Sequence, residues 1–462
     1  RSRKAAQAKG GRKVDTKRTE MNESESETAA VPLRAKQAES DPAQWAWVDR
    51  EVWTDRMLAA LGNGVKGNKW FSLIDKVWRL STLQAAWQQV KANKGAWGVD
   101  RQSVEAFAAH EERYLSELSR QLEQGEYRPQ AVRRVEIPKA GGKTRSLGIP
   151  TVKDRIVQTA VKRVIEPIFE SEFEDTSYGF RPGRGCKDAL RQVDALLKEG
   201  YTHVVDADLQ GYFDSIPHEA LMDRIAAYIS DGRLLSLFQG WLQQDIVQEM
   251  RRWTPTAGTP QGAVISPLLA NLYLHPLDVK MKARGYRMVR YADDFVILCT
   301  TAQQAHEALE QVKQWVWQNG LILHPDKTHV GDCTQKGQGF EFLGYRFEAG
   351  RRWVRDKSLK SLKDKVREKT KRTRGDSLRT VIEDLGPMLK GWFGYFKHAC
   401  KSMFPKIDGF IRRRLRAMLR KQQKRAGMGR CHADHKRWPN VYFAELGLFT
   451  MTQARLQASQ SR

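Results

Sequence analysis

The stretch RYADDFVILC, Arg290 to Cys299, places two adjacent aspartates, Asp293 and Asp294, before the apolar run Phe295–Leu298. That run reads as a buried strand. Like charges about 4 Å apart repel by a few kcal/mol at an effective dielectric near 20, so an acidic pair beside a strand is ordinarily a turn or a helix cap. A second run, Val204-Val205-Asp206-Ala207-Asp208-Leu209, also ends in acids and leads into Gln210-Gly211-Tyr212-Phe213-Asp214. If the two strands lie side by side, Asp208 faces Asp293 and Asp294, and bound cations relieve the repulsion. Hard oxygen donors of this kind suit Mg²⁺, which keeps waters and shares substrate phosphates. Two such ions stabilise both the attacking and the leaving oxygen of an in-line phosphoryl displacement. Asp206 and Asp214 are rival acids in the same stretch.

The chain around these acids has 462 residues, 40% of them hydrophobic, enough for about three domains. Mean hydropathy is −0.61. No apolar run approaches the roughly 18 residues of a membrane span, so no membrane association is expected. The first twenty residues lack the apolar segment of a secretory signal. Met21 is a candidate natural start, which makes the preceding residues a truncation or an added remnant. Residues 1–41 read as a disordered basic tail. A tryptophan-rich segment follows, with Trp45, Trp47, Trp53, Trp70, Trp78, Trp87 and Trp97, mostly core material, and a helix is expected over Thr82–Ala92. Glu136–Pro150 reads as two strands around the Gly141-Gly142 turn. Lys153–Phe169 reads as a helix, with Ile156, Val157, Ala160, Val161, Val164 and Ile165 as its apolar stripe. From Tyr201 to Phe347 short β-rich runs alternate with longer helical ones. Beyond Arg351 the pattern is helical, and Ile411, Leu415, Met418 and Leu419 share one helix face. There are no internal repeats.

The formal net charge is +25 and the pI about 9.9, which points to a polyanionic partner. Residues 351–430 hold 26 Lys and Arg against 7 Asp and Glu, so about three quarters of the excess sits in one block. Clustering that dense is better suited to phosphate than to a merely solvated face. Cysteines 186, 299, 333, 400 and 431 are odd in number and widely spaced. This argues for a reducing compartment and against a disulfide framework. Cys431-His432-Ala433-Asp434-His435 lacks the second ligand pair of a structural zinc site.

Several ordered motifs carry a resemblance. YADD, preceded by GTPQGAVISPLLANLYLHPLD (Gly258–Asp278), resembles the reverse transcriptases of group II introns, the maturase type. LGIPTVKDRIVQ (Leu147–Gln158), YGFRPGRG (Tyr178–Gly185), DADLQGYFDSIPH (Asp206–His218), HPDKT (His324–Thr328) and FLGYRF (Phe342–Phe347) occur in the order that family uses. GWFGYF (Gly391–Phe396) looks like its maturase or thumb domain, and the likeness runs from about residue 45 to 450. It implies an α+β right-hand polymerase: fingers and palm of antiparallel sheet plus helices, and a basic α-helical thumb. The expected division is an N-terminal helical extension at 42–115, fingers at 116–199, palm at 200–350, thumb at 351–430 and a short tail at 431–462.

The resemblance implies site roles as well. Asp208, Asp293 and Asp294 are the expected catalytic metal ligands for two Mg²⁺ ions, with the Leu209 carbonyl as a further donor and no organic cofactor. Asp208 ranks above its rivals because Phe213 then falls where the family has the residue that polices the sugar 2′ position. Without the resemblance, Phe213 is simple core packing. Lys139 and Arg145 match triphosphate contacts, with Lys143 as an alternative; on sequence alone they are solvated hairpin charges. Gln261 lines the nucleotide pocket, and Gly262 lets backbone approach the substrate. Lys327 is the candidate general acid for the leaving pyrophosphate, with a structural role equally open. Arg181 is expected on template phosphates, and Arg412, Arg413, Arg414, Arg416 and Arg420 on RNA. Trp392-Phe393-Gly394-Tyr395-Phe396 reads mainly as core.

Many maturases carry a further DNA-endonuclease module with cysteine pairs, which this sequence lacks, so no intrinsic DNA-cleaving activity is expected. The expected activity is RNA-directed DNA polymerisation by a protein that binds a structured intron RNA and assists its splicing and mobility. The expected partners are that RNA, an RNA template with a DNA primer, target DNA and dNTPs. The expected location is cytoplasmic (bacterial or organellar), with nucleoid or ribonucleoprotein. Oligomeric state is left open. Two other readings are a splicing cofactor with an incidental polymerase and a related enzyme recruited to host defence or repair.

Overall fold

The computed structural model describes residues 45–138 and 144–460. The expected tail at 1–41, the Gly141-Gly142 turn, Lys139 and Lys143 lie outside them. Helices and three small sheets make an α+β architecture.

The N-terminal helices form because their apolar residues recur at helical spacing. In Leu80–Asn93 the buried positions are Thr82, Leu83, Ala86, Trp87 and Val90, one face that packs on the helix Val152–Glu170. Thr151 starts that second helix by accepting the Asp154 N–H, and fourteen of its nineteen residues are buried. Trp53 and Trp87 are fully buried, so truncating either to Ala costs about 3–5 kcal/mol. Trp47 and Trp97 are the exposed exceptions.

Strand β1 (Val132–Pro138) pairs antiparallel with β2 (Thr144–Ile149), Arg133 opposite Ile149 through to Pro138 opposite Thr144. Strand β3 (His203–Asp208) follows the helix Cys186–Lys198. The hairpin β4 (Ile246–Gln248) and β5 (Arg251–Trp253) then returns to the first sheet, where β4 lies parallel to β1. Residues 246–253, expected in the palm, thus join the sheet of β1 and β2, in order β2-β1-β4-β5. Chain position was a poor guide there because a parallel neighbour needs a long crossover.

The central sheet combines β3 with β6 (Arg287–Tyr291), β7 (Asp294–Cys299) and β8 (His329–Asp332) in the order β6-β7-β3-β8. Its strands are apolar on both faces because both are covered. Val205, Ala207, Phe295 and Ile297 face one large core with helices Ser266–Ala283 and Ala302–Gln318. Val204, Val296 and Leu298 face a second core. Strands β9 (Phe340–Phe342), β10 (Tyr345–Glu348) and β11 (Arg351–Val354) form a three-stranded sheet in that second core. The basic helices Asp356–Lys369, Leu378–Phe396 and Met403–Gln422 complete it. The stretch read as a tail closes this core: Trp438, Phe443, Leu448 and Met451 are buried in it. The Asp408 carboxylate accepts the Met451 and Thr452 N–H groups at 3.0 and 2.9 Å, anchoring the final helix Met451–Gln460.

Candidate active site

Antiparallel pairing of β3 with β7 puts Asp208 opposite Asp294. The Asp208 carbonyl accepts the His324 N–H at 2.8 Å, and the Gln210 N–H donates to Ile322 at 2.8 Å. Asp208 therefore directs its backbone toward residues 322–324, and its pair with Asp294 is the type without mutual backbone bonds. Such pairs hold their Cα atoms about 4.5 Å apart with side chains close. The same alternation turns the Leu209 N–H and C=O to the opposite edge, where β7 and the turn before it lie. Strands β6 and β7 are joined by the two-residue turn Ala292-Asp293, closed by Tyr291 opposite Asp294. The three expected metal ligands are thus gathered at one end of one sheet.

Burial first, then the charges of Asp206, Asp293 and Asp208, pushes the Asp294 carboxyl up to about 7. Burial, with Asp208 adding, also raises Asp293. Nearby Arg145, Arg290 and Arg355 only partly offset this, and divalent cations supply the further positive charge such a site favours. As the side chains stand they do not close on one point: among the described residues no three His, Cys, Asp or Glu side chains form a metal cage. Asp208 is instead turned onto Lys327, whose Nζ lies 2.6 Å from Oδ2. Its donor set of hard carboxylate oxygens on a shared edge fits Mg²⁺-type ions.

Of the rival acids, Asp206 lies two residues back on the same face of β3, opposite His329 of β8. It accepts the Glu341 N–H at 3.3 Å, and burial pushes it up to about 6. Asp214 lies beyond the strand and accepts from the Gln261 amide at 3.3 Å.

A network the sequence reading missed holds the turn. Arg290 is fully buried and forms a fork on the equally buried Asp278. Its Nη1 donates to Asn271 Oδ1 and to the Ala292 carbonyl, both at 2.9 Å. Asn271 in turn donates to the Gly179 carbonyl at 2.7 Å. A signal was available: Asn271 and Asp278 lie seven residues apart, on one face of a largely buried helix, and a buried charge needs a partner.

A profile for reverse transcriptase (RNA-dependent DNA polymerase) matches residues 137–347, and one for the group II intron maturase-specific domain matches 359–438. Protein YkfC of Escherichia coli is 36% identical over 294 residues, covering 54% of this chain and 75% of that protein. The group II intron-encoded protein LtrA of Lactococcus lactis is 38% identical over 196 residues, covering 42% of this chain and 32% of LtrA. The chain belongs to the group II intron reverse transcriptase and maturase family. Among solved structures, a Cas6-RT-Cas1–Cas2 complex is similar at 27% identity over 53% of this chain and 41% of that one. Its TM-score is 0.34, too loose an overlap to carry an argument.

Among the residues expected to contact the nucleotide, Arg145 Nε donates to Gln261 Oε1 at 2.9 Å. Together with the Gln261–Asp214 bond this links β2 to the end of the β3 loop. A Cβ on Gly262 would sit 2.5 Å from the Gly148 carbonyl, so its bareness admits β2. Phe213 is half-buried, packed on the large core and edge-on to Tyr212 at 5.7 Å; its carbonyl accepts the Thr259 N–H at 2.7 Å.

Two expectations for the arginines change. Arg181 is buried; its guanidinium grips Glu170 and donates to the Glu174, Ser177 and Phe173 carbonyls. Such a fork, already engaged, holds the motif turn and does not face a template. Of the five arginines on Met403–Gln422, Arg416 is buried against the Trp438 carbonyl and Asn440. Arg414 donates to Thr370 and the Arg367 carbonyl, and Arg420 to Asp434 and the Ala426 carbonyl. Arg412 and Arg413 are half-buried, with Arg413 over the Phe410 ring. A groove of about 590 Å³ between Asp356–Lys369 and Leu378–Phe396 offers a different basic face, lined by Arg355, Lys357, Lys365, Trp392 and Tyr395. At the Cys431 cluster, the thiol is bonded to Asp434.

Proposed function

We propose that this chain is an RNA-directed DNA polymerase that also binds a structured group II intron RNA, helps it splice and mobilises it by target-primed cDNA synthesis. The supporting observation is the Asp208–Asp294 cross-strand pair with Asp293 in the adjoining turn. Asp208, Asp293 and Asp294, with the Leu209 carbonyl, would hold two Mg²⁺ ions, which when bound would supply the positive charge that stabilises the attacking and leaving oxygens. Arg145 and Lys139 bind the triphosphate, the first as a planar fork and the second as a point charge. Gln261, fixed between Arg145 and Asp214, orients the incoming nucleotide over Phe213, whose ring excludes a ribose 2′-hydroxyl. Lys327, exposed and within one side chain's reach of Asp208, protonates the departing pyrophosphate.

Folded intron RNA is recognised by shape and backbone contacts, for which the basic helices beyond residue 351 are suited. Their contribution is electrostatic and salt-sensitive. The functional units are the helical extension at 42–115, fingers at 116–199 joined by β4–β5, palm at 200–350, and a thumb at 351–430 closed by 431–462. No helix among the described residues is long and apolar enough to cross a membrane, and the proposed setting is the cytoplasmic ribonucleoprotein.

Asp293→Ala tests the assignment. Primer extension on an RNA template should fall by about 10²–10³-fold or more, while intron binding and splicing support persist. Equal loss of both functions in a folded variant would defeat the separation of roles.

A further inference from the structure

The buried cluster behind the Ala292-Asp293 turn has no role in the scheme above. Ala292 has a φ of 60°, a left-handed conformation that is unfavourable for an alanine. Turns of this shape usually take glycine at that position. Something must hold the alanine there, and two contacts converge on it, one of them braced from behind. Arg290 Nη1 donates to its carbonyl at 2.9 Å. Gly179 lies flat against it, so that a Cβ on Gly179 would sit 2.3 Å from the Ala292 nitrogen. Asn271 fastens Gly179 from behind at 2.7 Å. The segment carrying Gly179 is itself laced to β6, Arg290 N–H to the Thr176 carbonyl and Tyr178 N–H to the Arg290 carbonyl, both at 2.9 Å.

The choice of a fully buried ion pair for this task is informative. Removing Arg290 and Asp278 from water is costly, and apolar residues of similar volume often serve stability as well or better. An apolar pair could fill the space. It could not bond the helix Ser266–Ala283, through Asn271 and Asp278, and the turn carbonyl from one planar group. The guanidinium is a fork with fixed donor directions, so seating it on Asp278 sets where the Ala292 carbonyl must be, and hence where Asp293 and Asp294 begin.

We propose that Arg290, seated by Asp278 and Asn271, is a positioning residue that sets the divalent-ion affinity of the Asp208–Asp293–Asp294 site by holding the Ala292-Asp293 turn in its left-handed form. The inference rests on the metal reading of those acids. Arg290 touches neither ion nor substrate; it acts through the turn.

The test uses the full chain bound to an RNA template and DNA primer, as wild type, Arg290→Lys, Asn271→Ala and Asp293→Ala. Mn²⁺ binding is read by the electron paramagnetic resonance of free Mn²⁺, and primer extension is measured across a Mg²⁺ titration. Arg290→Lys keeps the charge and loses the fork. It should weaken Mn²⁺ about tenfold and raise the half-saturating Mg²⁺ by a similar factor, with kcat recovering toward wild type at high Mg²⁺. Asn271→Ala keeps the ion pair and should shift both readouts about threefold in the same direction, which serves if Arg290→Lys does not fold. A folded variant at either position with Mn²⁺ affinity and Mg²⁺ requirement within experimental error of wild type overturns the proposal, whatever its melting temperature. Asp293→Ala separates the two levels: if it binds Mn²⁺ like wild type, the metal reading itself has failed.

Discussion

At the scale of single residues, what packs around a side chain decides what it can do. Phe213, the proposed sugar gate, packs on the large core and has its backbone held by Thr259. Phe213→Ala should lower the preference for dNTPs over rNTPs at least ~10-fold, measured as the ratio of the two kcat/KM values; unchanged selectivity removes the gate assignment. Asp154 shows a carboxyl with a purely internal life. It accepts from the Tyr127 hydroxyl, from Thr151 at 2.8 Å and from the Gln130 N–H at 3.3 Å. Burial outweighs these bonds and pushes it from the ordinary 3.8 up to about 6. The folded protein therefore holds that proton more tightly than the unfolded chain does. The resulting stabilisation is full below pH 3.8 and is lost as pH rises through 6, a change on the order of 3 kcal/mol. Urea unfolding of Asp154→Asn across pH 4–7 should lack that slope relative to wild type; parallel curves would refute the shift.

At the scale of elements, what was legible in the sequence was whatever local pattern determines. The helix expected over Lys153–Phe169 spans Val152–Glu170, and that expected over Thr82–Ala92 lies within Leu80–Asn93, because period and capping are written in adjacent residues. The meeting of β3 and β7 was legible because both are apolar runs ending in acids. Orientation on a crowded helix was not. Met403–Gln422 shows a clear apolar face, yet the helix alone did not reveal that Arg414 turns to carbonyls of an earlier segment, and Arg416 and Arg420 to a carbonyl and an acid of later ones. Nor could composition distinguish Arg181 facing a template from Arg181 pinned on Glu170. Long-range partners decide these cases. Arg412 and Arg413 remain for phosphate. Replacing both with Gln should shrink the log–log salt slope of RNA binding by about 1.5, and an unaltered slope would rule them out in favour of the Trp392 groove.

At the scale of the whole molecule, the central sheet is shared by two cores, with the acids at the open end of the face turned toward the second. The helices of the basic block and the sheet bearing Asp208 are therefore one packed unit, and RNA held on the former lies against the scaffold that carries the chemistry. The fingers sheet has another property. Its inner strand β1 is flanked by β2 from the next few residues and by β4 from more than a hundred residues later. On a ribosome adding about 5–20 residues per second, the first hairpin waits many seconds with one backbone edge bare. Nascent chains of this protein are thus exposed to mispairing during that interval, and slowing translation between Ile149 and Ile246 should lengthen the window in which a chaperone is needed.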